Sequence, residues 1–329
     1  MKKQHRDFIL EKTNATKLIE IEKIQDLWSG YGTIKRYKLI GSEIKSLVIK
    51  HVEIPNQSTH PRGWSGSLSN KRKIKSYQVE TAWYQNWSKQ LSKNCYTAKY
   101  YGSISSNEND FFLILLEDLN QSGFSNKKSS LTIAEVKICL KWLAHFHATF
   151  LGEAPTSLWE QGTYWHLETR PDELAALKDK NLKNAATQID ELLNATSFLT
   201  FVHGDAKPAN FCFSKDSKKV AAVDFQYVGG GCGMKDVAYL LGSSLSEEEC
   251  EKYEQELLSY YFDVIKNIIS SKKPKIDIDS LELSWRKLFP VAWADFHRFI
   301  KGWSPEHWKI NSYSEKTTQK VINSLSEFS

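Results

Sequence analysis

The stretch H-G-D-A-K-P-A-N at residues 203–210, followed by V-D-F-Q at residues 223–226, decides the fold of this chain. Apolar runs at residues 198–202 and 211–213 flank the first motif and predict a loop between two short strands. Asp205 lies five residues before Asn210, and Asp224 closes the hairpin that follows. A carboxylate can accept a proton, and amide and carboxylate oxygens are ligands for a hard divalent cation. The pattern therefore predicts acid–base and metal chemistry on one loop.

Phosphoryl transfer needs this set of groups at this spacing. Asp205 would orient an attacking hydroxyl and accept its proton, while Asn210 and Asp224 would hold Mg²⁺ against the phosphates. Lys207 would reach the transferred phosphoryl group and neutralise the charge that develops on it. His203 is expected to brace the loop by hydrogen bonds rather than to titrate. The alternative for this motif is a polar turn between two strands.

The first third of the chain contains four further candidate residues, in the order in which kinases use them. Gly30 and Gly32 lie between the first two predicted strands, where a backbone without side chains can approach phosphates. Lys50 ends a β-branched strand, from which its ammonium group would reach the α- and β-phosphates. Glu80 lies on the next predicted helix and would hold that lysine in place. Each residue alone is weak evidence, and their joint order favours a nucleotide site for ATP.

Hydrophobic periodicity divides the chain into a strand-rich first part and a helix-rich second part. Period-two patterns and a helical pattern at residues 74–91 precede residue 118, with a loop predicted at residues 55–70. Long helical patterns follow it, at residues 132–150, 171–193, 246–270 and from 281 onward. We therefore predict an α+β chain of two lobes: an N-lobe at residues 1–118, an antiparallel sheet with one helix, and a mainly helical C-lobe at residues 119–329.

The composition excludes several classes of protein. The 329 residues are 41% hydrophobic and 25% charged with a net charge of +5, as in ordinary globular proteins. The densest basic cluster, residues 71–75, is interpreted as a solvated face, so no nucleic-acid partner is expected. Five widely spaced cysteines without C-x-x-C indicate reduced thiols. The longest apolar run has six residues, and the first residues lack an apolar signal segment, so we expect a cytoplasmic protein without a membrane partner.

The chain also resembles a known group of enzymes. The segments H-G-D-A-K-P-A-N-F-C-F and V-D-F-Q-Y-V-G-G-G-C-G-M-K-D-V-A-Y-L-L are similar to those of the aminoglycoside phosphotransferase/choline kinase-like superfamily, closest to its ecdysteroid-kinase-like (CHK kinase-like) branch. This resemblance implies a protein-kinase-like fold and an adenine site along L-I-L-L-E-D-L, between Glu117 and Leu119. It also implies that Asp236 hydrogen-bonds the backbone of the catalytic loop.

Two departures from the superfamily pattern keep alternatives open. Lys207 stands where small-molecule kinases of this group often carry histidine or tryptophan, and it favours a protein kinase. The segment after Asp224 is short, which favours a small-molecule acceptor with a hydroxyl group. A pseudokinase that only binds nucleotide is the third possibility. Neither the acceptor nor the oligomeric state follows from the sequence.

The aromatic residues of the C-terminal region recur at helical spacing and predict a core helix, and the alternative is a substrate pocket for an apolar alcohol or a cage for a quaternary ammonium. Three polar residues lie off that stripe, and we interpret them as candidate substrate contacts: Asp295, His297 and Arg298.

Overall fold

The computed structural model describes residues 1–27, 30–54, 66–106 and 110–325, without the side chains of residues 66 and 67. Helix α1 at Lys3–Thr13 comes first, an element that the sequence reasoning missed. A five-stranded antiparallel sheet then forms in the order β1-β2-β3-β6-β5. Its strands are β1 (Lys17–Asp26), β2 (Gly32–Ile40), β3 (Ser46–Glu53), β5 (Tyr100–Ser105) and β6 (Phe111–Glu117).

Strands β3 and β6 are covered on both faces, which explains their nearly continuous apolar sequences. Ile9 of α1 packs with Leu47 and Leu115 on one face. The opposite face carries Lys50, which pairs in register with Ile114 and faces the second lobe. The sheet therefore places the buried Lys50 side chain on the face toward the second lobe.

Helix α2 at Gly66–Ala82 follows and continues as a π-helical turn at Trp83–Trp87 and a 3₁₀ turn at Ser88–Gln90. The sequence reasoning predicted a loop through residue 70, and residues 66–70 are helical instead. The rest of that predicted loop, residues 55–65, lies outside the described residues, as do residues 28 and 29 of the predicted glycine turn. A short strand, β4 (Tyr96–Thr97), then pairs with a strand of the second lobe.

The second lobe is mainly helical. Its helices are α3 (Ile133–Phe150), α4 (Pro171–Ala176), α5 (Lys180–Asn194), α6 (Met234–Ser244), α7 (Glu247–Lys272), α8 (Ile278–Trp303) and α9 (Ser312–Ser324). The predicted capping box at Thr132 and Glu135 begins α3. The predicted helix at residues 171–193 is two helices, because the chain turns before Asp179, which caps α5. Helix α8 runs through Pro290 without ending.

Short strands of the second lobe frame the central motif. They are β7 (Asn126–Lys127), β8 (Thr200–Val202), β9 (Phe211–Phe213), β10 (Val220–Ala222) and β11 (Gly229–Gly231). Strand β10 pairs with both β9 and β4, and β11 pairs with β8. The predicted α+β fold of two lobes is confirmed, whereas the boundary at residue 118 stays a prediction. All five cysteines are free and buried. None of the described helices is long and apolar enough to cross a membrane.

Candidate active site

The loop between β8 and β9 brings the predicted catalytic groups together. Asn210 Nδ2 donates to the backbone oxygen and to Oδ2 of Asp205, both at 2.8 Å. Lys207 Nζ lies 2.8 Å from the same Oδ2 atom, and Tyr239 OH donates to Oδ1 at 3.2 Å. Burial opposes the charge of Lys207, but Asp205 outweighs it and raises the pKa of the lysine. The Asp205 carboxylate is thus held in one orientation, and Lys207 stays charged beside it.

His203 braces this loop, as the sequence predicts. Its Nε2 atom lies 3.1 Å from the carbonyl oxygen of Val223, which can only accept, and its Nδ1 accepts from the Asp205 amide at 3.3 Å. Together these partners fix the neutral tautomer with the proton on Nε2. Gly204 has φ +80°, and a Cβ there would lie 2.2 Å from the Tyr227 carbonyl oxygen, so only glycine fits.

Asp236, at the start of α6, ties the loop to the lobe beneath it. Its carboxylate accepts from the His203 amide at 2.5 Å and from the Gly204 amide at 2.9 Å. His147 Nε2 lies 3.2 Å from the same carboxylate, and Tyr261 OH lies 2.7 Å from His147 Nδ1. All of these groups are buried. Asp236 therefore makes the backbone contacts that the family resemblance implies.

We expect Asp236→Asn to lower the free energy of unfolding by about 2–3 kcal/mol, because one amide N–H of the loop would face an NH₂ group in a buried site. Urea unfolding at neutral pH measures this change. Asp263→Asn is the matched control, since Asp263 is exposed on α7. Equal unfolding midpoints for Asp236→Asn and the parent chain would contradict the role assigned to Asp236.

Lys50 and Glu80 form the predicted pair across the two elements of the first lobe. Lys50 Nζ lies 2.6 Å from Glu80 Oε2 and 3.4 Å from Asp224 Oδ1, and both side chains of the first pair are buried. Burial works against the charge of Lys50, but Glu80 and then Asp224 outweigh it and raise the pKa of the lysine. The ammonium group is therefore charged and fixed at the edge of the cleft.

Asp224 adopts an unusual backbone conformation, with φ +68°. Its Oδ1 atom accepts from Gln226 Nε2 at 2.8 Å, and Lys73 Nζ in turn donates to Gln226 Oε1 at 3.1 Å. Burial opposes ionisation, but Lys50 and the neighbouring lysines lower the pKa of Asp224 to about 2. The side chain is thus a carboxylate in the working pH range, oriented by Gln226, a residue to which the sequence reasoning gave no role.

These oxygen atoms fit a divalent cation of the magnesium class. Asn210 uses its amide nitrogen to hold Asp205, which leaves its Oδ1 oxygen for a ligand. Asp224 supplies a carboxylate oxygen, and no third acidic, histidine or cysteine side chain completes a metal cluster within the described residues. Mg²⁺ bound through one or two protein groups plus substrate phosphates needs no more than this.

The cleft between the lobes has a volume of about 720 Å³, and five predicted site residues line it together with Lys207: Lys50, Glu80, Asp205, Asn210 and Asp224. Glu117 and Leu119 also line the cleft, and the adenine site between them stays a prediction. The Glu117 carboxylate accepts from Tyr96 OH at 2.9 Å and from the Lys99 amide at 3.0 Å. Its side chain is therefore engaged within the protein.

Gly30 and Gly32 do not line this cleft among the described residues, although residues 24, 25 and 27 of the same hairpin do. Gly32 has φ +128°, and a Cβ there would lie 2.1 Å from the His51 carbonyl oxygen. The close pairing of β2 with β3 accounts for this glycine. The predicted phosphate contacts of both glycines stay a prediction.

Two interpretations of charged residues in the sequence are wrong. Asp295 and Arg298 are fully buried and form an ion pair at 2.8 Å, and His297 is buried against Thr318, so none is a substrate contact of the cleft. Asp295 and Arg298 can be buried because they lie three residues apart on one helix and neutralise each other. Conversely, Arg72 and Lys73 of the basic cluster are not a solvated face, because both line the cleft.

Comparisons with known proteins agree with this architecture. The sequence model of the ecdysteroid kinase-like family matches residues 69–156. A second one, for DUF1679, described as "Uncharacterized oxidoreductase dhs-27", matches residues 166–327. No curated protein sequence matches the chain.

Solved structures of kinases share the fold. A complex of the amicoumacin kinase hAmiN with AMP-PNP, Ca²⁺ and Ami is similar with a TM-score of 0.52 at 12% identity, covering 100% of this chain and 97% of that one. The structure of a microcompartment-associated aminopropanol kinase is similar with a TM-score of 0.50 at 12% identity, covering 98% and 94%. These structures share the two-lobed fold of this chain, and the ecdysteroid kinase-like match agrees with the resemblance seen in the sequence.

Proposed function

We propose that this chain is an ATP- and Mg²⁺-dependent phosphotransferase that acts on a hydroxyl group of a small molecule. The observation that carries the proposal is the convergence of Lys50–Glu80, Asp205, Asn210 and Asp224 on one cleft. These groups come from four separate segments of the chain, and their convergence supports the roles proposed for them in phosphoryl transfer.

The reaction moves one phosphoryl group. The acceptor oxygen forms a bond to the γ-phosphorus while the bond to the β,γ-bridging oxygen breaks and ADP leaves. Asp205 takes the hydroxyl proton, and Lys207 stabilises the charge on the transferred group. Lys50 positions the α- and β-phosphates. Asn210 and Asp224 would hold Mg²⁺, which neutralises charge on the β- and γ-phosphates when bound.

Two observations favour a small-molecule acceptor over a protein. Only nine residues separate Asp224 from Met234, the first residue of α6. Part of this segment is β11, which is paired with β8 and largely buried. No extended activation segment is therefore present to hold a peptide. The protein-kinase alternative rests on Lys207 alone.

The oxidoreductase description of one matching family has less support in the structure. Nicotinamide dinucleotides are bound by a parallel sheet with βαβ units and a glycine-rich first turn. Within the described residues the sheets are antiparallel, apart from the two-residue pairing of β4 with β10 and one isolated bridge.

A metabolite-library screen tests the proposal. We expect consumption of ATP that depends on a hydroxyl compound and on Mg²⁺, and that stops when the metal is chelated. Mass spectrometry of the active wells should show one added phosphoryl group on the compound. Labelled ATP with a mixed protein pool is the parallel measurement, in which label in protein would favour a protein kinase. Nucleotide binding without transfer to any acceptor would favour the pseudokinase.

A further inference from the structure

The wall of the cleft near Asp205 contains aromatic and basic side chains. Tyr239 OH donates to Asp205 Oδ1, and Tyr164 OH lies 3.1 Å from Tyr239 OH, so Tyr164, which lines the cleft, lies close to Asp205. We call this part of the cleft the acceptor end, and its described lining residues are Arg72, Tyr164, Arg170, Tyr227, Phe299 and Trp303. Aromatic rings and two arginines thus surround the space next to the catalytic carboxylate.

Arg170 is held rigidly in this wall. Its guanidinium group lies 5.2 Å from the ring centre of Phe299 and 5.9 Å from that of Tyr164. Nε donates to the Tyr164 carbonyl oxygen at 2.5 Å, and Nη1 donates to Glu173 Oε1 at 3.0 Å. A guanidinium group has five N–H donors, so these two bonds leave further donors for a ligand.

Arg72 reaches the same place from α2. Its Nη1 atom donates to the carbonyl oxygen of Thr169, the residue before Arg170, at 2.7 Å. Burial, followed by the charge of Arg170, lowers the pKa of Arg72. Within the part of the chain that the structure describes, no carboxylate lies within ion-pair distance of Arg72. The fold therefore holds two guanidinium groups close together with a carboxylate partner for only one of them.

Two of the described lining residues of the acceptor end are arginines, and Glu173 pairs with one of them, Arg170. Among its described lining residues there is no aspartate or glutamate, and the adjacent Asp205 is already paired with Lys207 at 2.8 Å. Lys73 adds a further cation at the border with the phosphate site. Like charges held together in a cleft favour an anion between them and disfavour a cationic ligand. An amine-bearing acceptor such as aminopropanol, after which one similar structure is named, would be repelled here.

We propose that the acceptor is a hydroxyl compound that has an apolar or aromatic face and an anionic group. The anionic group, a carboxylate, sulfate or phosphate, binds Arg72 and Arg170 in a bidentate manner, and the apolar face packs against Phe299 and Trp303. This arrangement places the hydroxyl near Asp205. The inference rests on the proposed function, and it adds the class of compound on which that function acts.

A set of matched compounds tests the inference. Each aromatic alcohol is prepared in three forms, which carry a carboxylate, a carboxamide or an aminomethyl group. Binding is measured by calorimetry with AMP-PNP and Mg²⁺ present, and phosphorylation is measured with ATP. Since a hydrogen bond to a charged group contributes about 1.5–3 kcal/mol, we expect the carboxylate forms to bind about 10–100-fold more tightly than the carboxamides.

Two variants and one control locate the preference. Arg72→Gln should remove most of the preference for the carboxylate, and Arg72→Lys should keep part of it, because the charge remains without the planar fork. Lys71→Gln, a change at the exposed neighbouring residue, should keep all of it. Circular dichroism and melting temperatures establish that the variants are folded.

The outcomes separate the two proposals. A preference for the carboxamide or amine forms, or a carboxylate preference that folded Arg72→Gln retains, overturns the anion site and leaves the phosphotransferase standing. Arginine-dependent binding of the carboxylates without any phosphorylation overturns the phosphotransferase and leaves the anion site standing. If the carboxylates show neither binding nor phosphorylation, the anion site is overturned.

Discussion

Asp205→Asn should lower the rate of phosphoryl transfer by about 10²–10⁴-fold, the usual contribution of a positioned general base. The asparagine keeps the size of the side chain, but its amide nitrogen cannot accept the proton of the attacking hydroxyl. It also presents N–H groups to Lys207 and Asn210, which both donate to this position. The apparent affinity for ATP should change little, because the proposal assigns Asp205 to the acceptor hydroxyl and not to the nucleotide. Initial rates at saturating Mg²⁺-ATP and calorimetric titration with AMP-PNP measure the two effects.

The control for this variant is Asp263→Asn, which makes the same chemical change on an exposed turn of α7. It should retain the parent rate and melting temperature. Circular dichroism must show that Asp205→Asn is folded, since Asp205 takes part in the hydrogen bonds that shape the loop. If folded Asp205→Asn transfers phosphate at the parent rate, Asp205 is not the base.

The placement of the candidate site residues could be predicted because most of them lie close together in the sequence. Asp205 and Asn210 occupy one loop at a fixed spacing, and Asp224 follows the next strand, so a short segment holds most of the information. Lys50 and Glu80 added order along the chain, and the antiparallel sheet with the helix after it brings them together. The geometry of Asp224, with its positive φ and its hydrogen bond from Gln226, needed the structure.

What the sequence could not provide depends on the direction of side chains. Arg72 and Lys73 belong to a run of charges that is typical of a solvated face, and only the packing of α2 turns both toward the cleft. Asp295 and Arg298 were interpreted as accessible although they are buried. A buried ion pair on a core helix cannot be told from an exposed polar face by sequence alone. Helix α1 was missed because its few apolar residues, Phe8 and Ile9 among them, do not recur at a clear helical period.

Asp224→Asn should abolish turnover and remove the effect of Mg²⁺ on nucleotide affinity. A bound metal ion contributes several kcal/mol of charge stabilisation in the transition state, so a loss of at least about 10³-fold in rate is expected. The change leaves the Lys50–Glu80 pair in place at 2.6 Å, so the fold and the binding of nucleotide without metal should persist. Calorimetric titration of AMP-PNP with and without Mg²⁺ measures the metal effect separately from the rate.

Gln226→Ala is the informative companion to this variant. It removes the hydrogen bond that orients Asp224 but keeps the carboxylate, so Mg²⁺ should still strengthen nucleotide binding while turnover falls less than in Asp224→Asn. If Asp224 and Gln226 acted only through folding, both variants would have lower melting temperatures. Neither variant would then change the ratio of nucleotide affinities with and without metal. If Mg²⁺ strengthens nucleotide binding equally in the parent and in Asp224→Asn, then Asp224 does not hold the metal, and the carboxylate instead serves to keep Lys50 charged and in position.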